Sequence, residues 1–341
     1  MAMKRITMQE IADACGLSRN TVSKVFNGRG AVPDVTRNLV LAKAKELGYF
    51  SFPEEDKPRP RPSGNIALLT QHKLLSHNFG AFFITSFTDQ ISRLGYTMKI
   101  FEVAPREIAA RQLPPNFDLE HTAGILGIEL FDRDYLDLVC SLNKPTVFVD
   151  GSARAHYSLI NCDFISMENV ASEKALVNRM IARGAKKIGF VGDIEHCNSF
   201  YERWEGFCSA LNEACLPLNR DLCILEPDSE LYADTEWLLR HLAAMPAMPD
   251  GFACANDYLA IHLMNALKKM GLSIPEDVMV TGFDGSLEAA VIDPSLTTAQ
   301  IACADIGRLA AYLLDERIRM PGFPYHWTYV KSELIWGHST P

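Results

Sequence analysis

No run among the 341 residues approaches the ~18 consecutive apolar positions of a membrane-spanning helix, and no charged-then-apolar leader opens the chain. Export and membrane insertion are therefore unsupported, and a cytoplasmic protein with no membrane partner is expected. The nine cysteines are odd in number, scattered and never spaced Cys-x-x-Cys. They suit small apolar packing in a reducing compartment better than disulfides or zinc. Also missing are a Gly-x-Ser-x-Gly elbow, a phosphate-cradling Gly-Lys-Ser/Thr loop and a His-Glu-x-x-His pair. The nine histidines are dispersed without ligand spacing. No catalytic residue, metal or cofactor is expected.

What is present exceeds one ordinary core. A length of 341 residues with 48% hydrophobic content predicts a small domain plus a larger bilobed one. The net charge of −9 is unevenly placed, with residues 1–62 carrying +4 and the remainder −13. A basic head on an acidic body puts a nucleic-acid contact at one end.

That head opens with a strong local signal. Thr7 and Glu10 stand at capping-box spacing, so a helix starts near Met8. Gly16 can take the positive φ that leaves this helix, and Ser18 is a good N-cap for a second one a few residues on. Two short helices and a tight turn read as a helix-turn-helix. On the second helix Val22, Val25 and Phe26 fall on one side, facing Ile11 and Cys15 of the first. Arg19, Asn20, Ser23, Lys24 and Asn27 fall within an arc of roughly 140° on the other side, with no carboxylate among them. A guanidinium for guanine, a carboxamide for adenine and short donors for phosphate are what a recognition helix needs in a major groove. With the caps, the candidate DNA-binding set is Thr7, Ser18, Arg19, Asn20, Thr21, Ser23, Lys24, Asn27 and Arg29. A third helix is expected over 34–47, with Val35, Leu39 and Ala42 covering the first two and Gly48 as its stop.

The run Leu17-Ser18-x-x-Thr21-Val22-Ser23-Lys24-Val25-Phe26-Asn27-Gly28, followed by Val32, Thr36-Arg37 and Glu46-Leu47-Gly48-Tyr49, resembles the DNA-binding headpiece of the LacI/GalR family of transcription regulators. That family usually has Val for Leu17 and Arg for Lys24. Residues 51–62 depart from it. Four prolines make this stretch an extended, semi-rigid linker, where the family carries a short hinge helix with a minor-groove leucine. Lys57, Arg59 and Arg61 offer phosphate contacts there, although an exposed charged linker needs no function.

From residue 64 short apolar strands alternate with helical stretches. Strands are expected at 65–70, 97–103, 124–128, 145–150, 187–192, 222–226, 251–255 and 278–283. This alternation predicts parallel sheets covered on both faces, and there are too many strands for one sheet. The fold class expected is a small all-α helix-turn-helix domain followed by a two-lobed α/β domain with two parallel sheets. The family resemblance continues through Arg203-x-x-Gly206-Phe207, Ala255-Asn256-Asp257, Ile274-Pro275-Glu276-Asp277-Val278, Gly282-Phe283-Asp284, Leu296-Thr297-Thr298 and Glu333-Leu334-Ile335. It implies a periplasmic-binding-protein-like effector domain whose chain crosses between lobes three times. The expected domains are 1–50, the linker 51–62 and an effector domain 63–341. Lobe 1 would be about 63–162 plus 297–325, and lobe 2 about 163–296 plus 326–341. The chain stops after the expected last strand with no added heptad helix, so a homodimer is expected.

A polar small molecule held between lobes needs convergent donors and acceptors at strand ends beside an apolar wall. Arg203 matches the family's effector-clamping arginine, and its fork suits vicinal hydroxyls or a carboxylate. Asn256 and Asp284 each follow an apolar strand, and Asp257 is either a ligand contact or the cap of the next helix. Glu168 stands where the family has Asp before Asn169. His77 and Phe79 lie on the loop after the first strand, and Tyr232 is a substitute for a missing aromatic platform.

The expected function is a repressor of transcription that binds double-stranded operator DNA. A small-molecule effector between the lobes would modulate it, with a sugar or sugar derivative ahead of a nucleobase. Two alternatives stay open here: a solute-sensing module acting through a protein partner, and a sugar-acting enzyme using the carboxylates of Glu168, Asp257 and Asp284.

Overall fold

The computed structural model describes residues 6–26, 32–47, 64–71, 78–153, 155, 160–227 and 231–341. The chain divides into two compact units, Met1–Arg61 and Pro62–Pro341. Gly48, the proline-rich stretch 51–62, Asn27, Arg29 and His77 lie outside the described residues.

The smaller unit holds α1 (Met8–Cys15), α2 (Arg19–Phe26) and α3 (Asp34–Glu46). Its first turn is built as the spacing predicts. The Thr7 N–H donates to Glu10 Oε2 at 2.8 Å, and the Glu10 N–H donates to Thr7 Oγ1 at 3.3 Å. Gly16 closes the helix at φ 65°, where a side chain would be strained. Ser18 Oγ then accepts the Thr21 N–H at 3.1 Å and starts α2. Ile11, Ala12, Val22 and Val25 form the core, with Val40 and Ala44 of α3 packed on them. The third helix therefore uses a different face from the one expected. Val35 is 82% and Leu39 49% exposed, and Ala42 is exposed as well. Both sets contain an i, i+4 pair, so spacing alone does not choose between them, and the face that α1 and α2 can approach decides.

In the larger unit the parallel sheet order is β10-β5-β4-β3-β1-β2, made by β1 (Asn65–Thr70), β2 (Thr97–Glu102), β3 (Thr122–Ile128), β4 (Thr146–Val149), β5 (Asp163–Met167) and β10 (Trp327–Val330). Alternate residues go to opposite faces. Ile66 and Leu68 pack with Phe83 and Phe87 of α4 (Asn78–Leu94) and Leu314 of α12 (Cys303–Arg319), while Ala67 and Leu69 pack with Tyr135 and Leu136 of α6 (Arg133–Ser141). Burial on both faces is why these strands read as continuous apolar runs.

The second parallel sheet is β6 (Ile188–Val191), β7 (Gly251–Cys254) and β8 (Met279–Thr281). Around it lie α7 (Val170–Ala182), α8 (Asn198–Glu213), α9 (Thr235–Ala244), α10 (Asp257–Lys269) and α11 (Leu287–Val291). An antiparallel ribbon joins β9 (Thr298–Gln300) to β11 (Glu333–Ile335). The segment expected as a strand at 222–226 makes a single bridge, Ile224 to Val191, after a short 3-10 turn.

Strands β5 and β10 belong to the first sheet, so the chain leaves the first lobe after Met167 and again after Val330, a few residues later than 162/163 and 325/326. Asp163 opens β5 with a charge, which hides that strand in the sequence. Its carboxylate is held by Arg317 Nε at 2.7 Å and Nη2 at 2.8 Å, and by the His326 N–H at 2.7 Å. The buried pair thus fastens the start of β5 to the segment entering β10.

Candidate functional site

In the smaller unit, Arg19, Asn20 and Lys24 are exposed along α2, and Thr21 and Ser23 are half-buried beside them. Val22 and Val25 hold the opposite side in the core. The polar face thus presents a cation at each end and a carboxamide next to the first, with no acidic residue on the helix. Thr7 and Ser18 serve as helix caps.

In the larger unit a cleft of about 1770 Å³ opens between the two lobes. Ile128, Glu129, Phe131 and Asp150 line it from the first lobe, and Phe200, Arg203, Tyr232, Asn256 and Asp284 from the second. Glu129 and Asp150 follow β3 and β4 directly and Asp284 lies just beyond β8, with φ of 52°, 61° and 122°. Three acidic residues held in the left-handed region at strand ends are the kind of local strain that surrounding structure maintains at a working site.

Arg203 is the centre of the site and is only 2% exposed. Its Nε donates to Asn169 Oδ1 at 3.0 Å, and its Nη1 donates to the Ala255 carbonyl at 2.5 Å and faces Asp284 Oδ1 at 3.5 Å. The guanidinium lies over the Phe283 ring, 3.7 Å from its centroid. Its backbone is positioned by Gly206, where a Cβ would stand 2.5 Å from the Val170 carbonyl. The glycine lets α8 press against the start of α7, bringing Arg203 beside Asn169.

Asn169 continues the network, donating through Nδ2 to the Met167 carbonyl at 3.0 Å and to Glu202 Oε2 at 2.8 Å. The Tyr329 hydroxyl of β10 donates to Glu202 Oε1 at 2.6 Å. Asp150 accepts the Gly151 N–H at 2.8 Å and the Ser199 N–H of α8 at 3.2 Å. Tyr329 and Asp150 thus reach from first-lobe strands to one second-lobe helix. Burial raises the Asp150 and Glu202 carboxyls above the usual range, although donors around each pull the other way. Burial likewise raises Asp257 and Asp284, with the Arg203 charge opposing it.

The remaining expected residues fall in different places. Asn256 lines the cleft and also caps α10, its Oδ1 accepting the Leu259 N–H at 2.9 Å. The cap is therefore not Asp257, which is buried and accepts from Thr298 Oγ1 at 2.6 Å and the Ser286 N–H at 2.7 Å. Tyr232 lines the cleft with its hydroxyl on the Glu226 carbonyl at 2.7 Å.

Glu168 is turned away from ligand chemistry. Its carboxylate takes the Ala171 and Ser172 N–H groups at 2.6 and 2.9 Å, closing the N-terminus of α7. It is absent from the cleft lining. His77 and the Phe79 side chain lie outside the described residues. The sequence reading missed Asp150, Asn169 and Phe131 as site residues. Asp150 was findable, because it ends an apolar strand as Asn256 and Asp284 do.

A helix-turn-helix with a basic reading face, on a chain whose other unit is a two-lobed receptor with a polar cleft, defines a ligand-responsive DNA-binding regulator. Residues 7–51 match the model of the bacterial regulatory proteins of the lacI family, and residues 177–340 match that of the periplasmic binding protein-like domain. The HTH-type transcriptional regulator GalR of Lacticaseibacillus casei is 26% identical over 96% of this chain and 98% of its own. The ribose operon repressor of Bacillus subtilis is 25% identical, with 90% of each chain covered. Among solved structures, the transcriptional regulator CelR in complex with cellobiose superposes with a TM-score of 0.71 at 23% identity, covering 98% of this chain and 100% of that one. The Lac repressor dimer bound to operator and the anti-inducer ONPF gives 0.68 at 19%, covering 99% of both. The chain belongs to the LacI/GalR family of transcription regulators, which are not enzymes.

Proposed function

We propose that the protein is a cytoplasmic homodimeric repressor that reads an inverted-repeat operator with α2 and changes its operator affinity when a polyhydroxylated small molecule occupies the interlobe cleft. The observation that carries this reading is the buried Arg203, held by Asn169 and the Ala255 carbonyl beside Asp284 at the cleft wall. Much of its fork is engaged by protein oxygens, which suits hydroxyl recognition better than capture of a free anion.

The charges around it point the same way. Glu129, Asp150, Asp257, Asp284, Glu288, Asp305 and Glu333 line the cleft against Arg203 and Lys331. A phosphorylated ligand would meet that excess of carboxylates, whereas a neutral sugar or an amine-bearing derivative would not be repelled by it. Phe131, Phe200 and Tyr232 supply faces on which a pyranose can stack. Within the head, Arg19, Asn20, Ser23 and Lys24 contact the groove, with Thr7, Ser18 and Thr21 at the backbone. This reading takes as its domains a head at 1–50, a linker at 51–62 and the receptor beyond.

Purified protein incubated with fragments of its own genome, with and without cell extract, tests it. Recovered fragments sharing an inverted repeat, whose retention extract changes, are the expected outcome. Fragments without a shared repeat would overturn the operator reading. A shared repeat that no extract or neutral sugar perturbs would overturn the effector reading.

A further inference from the structure

Cys140 lies in the last turn of α6, and Cys162 is the residue just before β5. Both are free thiols. Their Sγ atoms stand 3.2 Å apart, inside van der Waals contact and roughly 1.2 Å from disulfide bonding distance. Cys162 is 3% exposed and packed with Phe148 and Phe164, while Cys140 is half-buried at the edge of the same cluster. Contact with the Cys140 sulfur, and then burial, hold the Cys162 thiol far above its ordinary range. An incoming reagent therefore meets Cys140 first. A second pair of neighbouring thiols differs. Cys223 donates to the Asn219 carbonyl at 3.6 Å and accepts from the Phe190 N–H at 3.3 Å, so its neighbour Cys208 does not have it as a free partner.

We propose that Cys140 and Cys162 form a reversible oxidation site, which a low-molecular-weight disulfide of the glutathione class converts to an intrachain disulfide. The Cys140 thiolate attacks one sulfur of the reagent, breaks its S–S bond and releases one glutathione as thiolate. Cys162 then gives its proton to that thiolate or to solvent and attacks Cys140 Sγ, expelling the second glutathione. Two protein thiols are oxidised and one reagent disulfide is reduced to two thiols. The new bond closes a loop that contains β4 and Asp150, the residue that reaches across the cleft to Ser199. Oxidation thus restrains one wall of the receptor, independently of which ligand it takes.

The test treats reduced full-length protein with oxidised glutathione and maps its peptides by mass. The exposed Cys215 serves as an internal sign that the reagent is reacting. A cross-link between the Cys140 and Cys162 peptides is expected, reversed by dithiothreitol, together with a rise of ~5 °C in thermal midpoint. Cys162→Ser should retain one glutathione on Cys140, and Cys140→Ser should leave Cys162 unmodified. Modification of Cys215 without the 140–162 link, or a 208–223 link in its place, would overturn the site. Equal labelling of Cys162 in the Cys140→Ser protein would overturn the order of attack.

Discussion

Glu173 is a poorly compensated acidic group in the receptor unit. It is 0% exposed beneath the α7–α8 contact, and among the described residues neither carboxylate oxygen has a hydrogen-bond partner. Burial pushes its pKa from 4.5 up to about 8, with the Arg203 charge only partly opposing this. The folded state therefore holds a proton that the unfolded chain gives up near pH 4.5. Stability should be unaffected by this group below that value, fall as pH rises, and level off above about pH 8. Glu173→Gln removes the ionisation. It should match the parent in urea unfolding at pH 4 and exceed it by about 4–5 kcal/mol at pH 9. Arg203 makes a second prediction at this scale. Arg203→Lys keeps the charge but loses the fork that meets Asn169 and Ala255 together. Unfolding free energy should drop by about 2 kcal/mol, and cell extract should no longer alter DNA retention. An Arg203→Lys protein that still responded fully to extract would remove Arg203 from the effector site.

Among the elements, α2 is defined by opposite faces: valines inward, Arg19 and Lys24 outward. If Lys24 meets a phosphate, Lys24→Ala should weaken binding to all duplexes alike and reduce the slope of log K against log salt by about one. Arg19→Ala should instead relax preference at one base of each half-site, at a cost of about 1–3 kcal/mol. Competition binding on a set of mutated operators separates the two outcomes. Strand β5 depends on a contact remote in sequence, the grip of Arg317 on Asp163. The same guanidinium donates to the Pro324 carbonyl at 2.8 Å and to that of Phe323. Arg317→Met leaves the Asp163 carboxylate buried with the His326 N–H as its remaining donor of this set. A loss of about 3–5 kcal/mol is expected in a denaturant melt of the whole chain.

For the receptor as a whole, two hydrogen bonds that cross from one lobe to the other run through the first turns of α8. Tyr329 reaches Glu202 from β10, and Asp150 reaches Ser199 from the end of β4. A ligand that touches Arg203 or Asp150 therefore acts on the same helix that ties the lobes together. It can shift their arrangement only by binding one arrangement better than the other. Tyr329→Phe deletes one tie and leaves Glu202 with fewer donors. Amide exchange in residues 198–203 should quicken several-fold, as expected from losing about 1 kcal/mol, while exchange in α10 stays unchanged. Equal acceleration in both segments would mean that Tyr329 supports global stability rather than the interlobe tie.

The head was legible in the sequence because its determinants are local. Thr7 with Glu10, Gly16 and Ser18 act within a turn of themselves, and the two faces of α2 follow from a period of 3.6. The parallel sheets were legible for a related reason, since strands buried on both faces leave unbroken apolar runs such as Ile66 to Leu69. Family motifs located Arg203, Asn256 and Asp284 at the cleft. What only the tertiary structure decided depends on distant partners. The covering face of α3 was chosen by what α1 and α2 could approach. Strand β5 was hidden by an aspartate that Arg317, far along the chain, neutralises. Glu168 went to the α7 N-terminus because its free N–H groups lay within one turn, leaving Asn169 to hold the arginine. Hydrogen-bonding capacity is visible in a residue's identity, but which neighbour claims it is settled by packing.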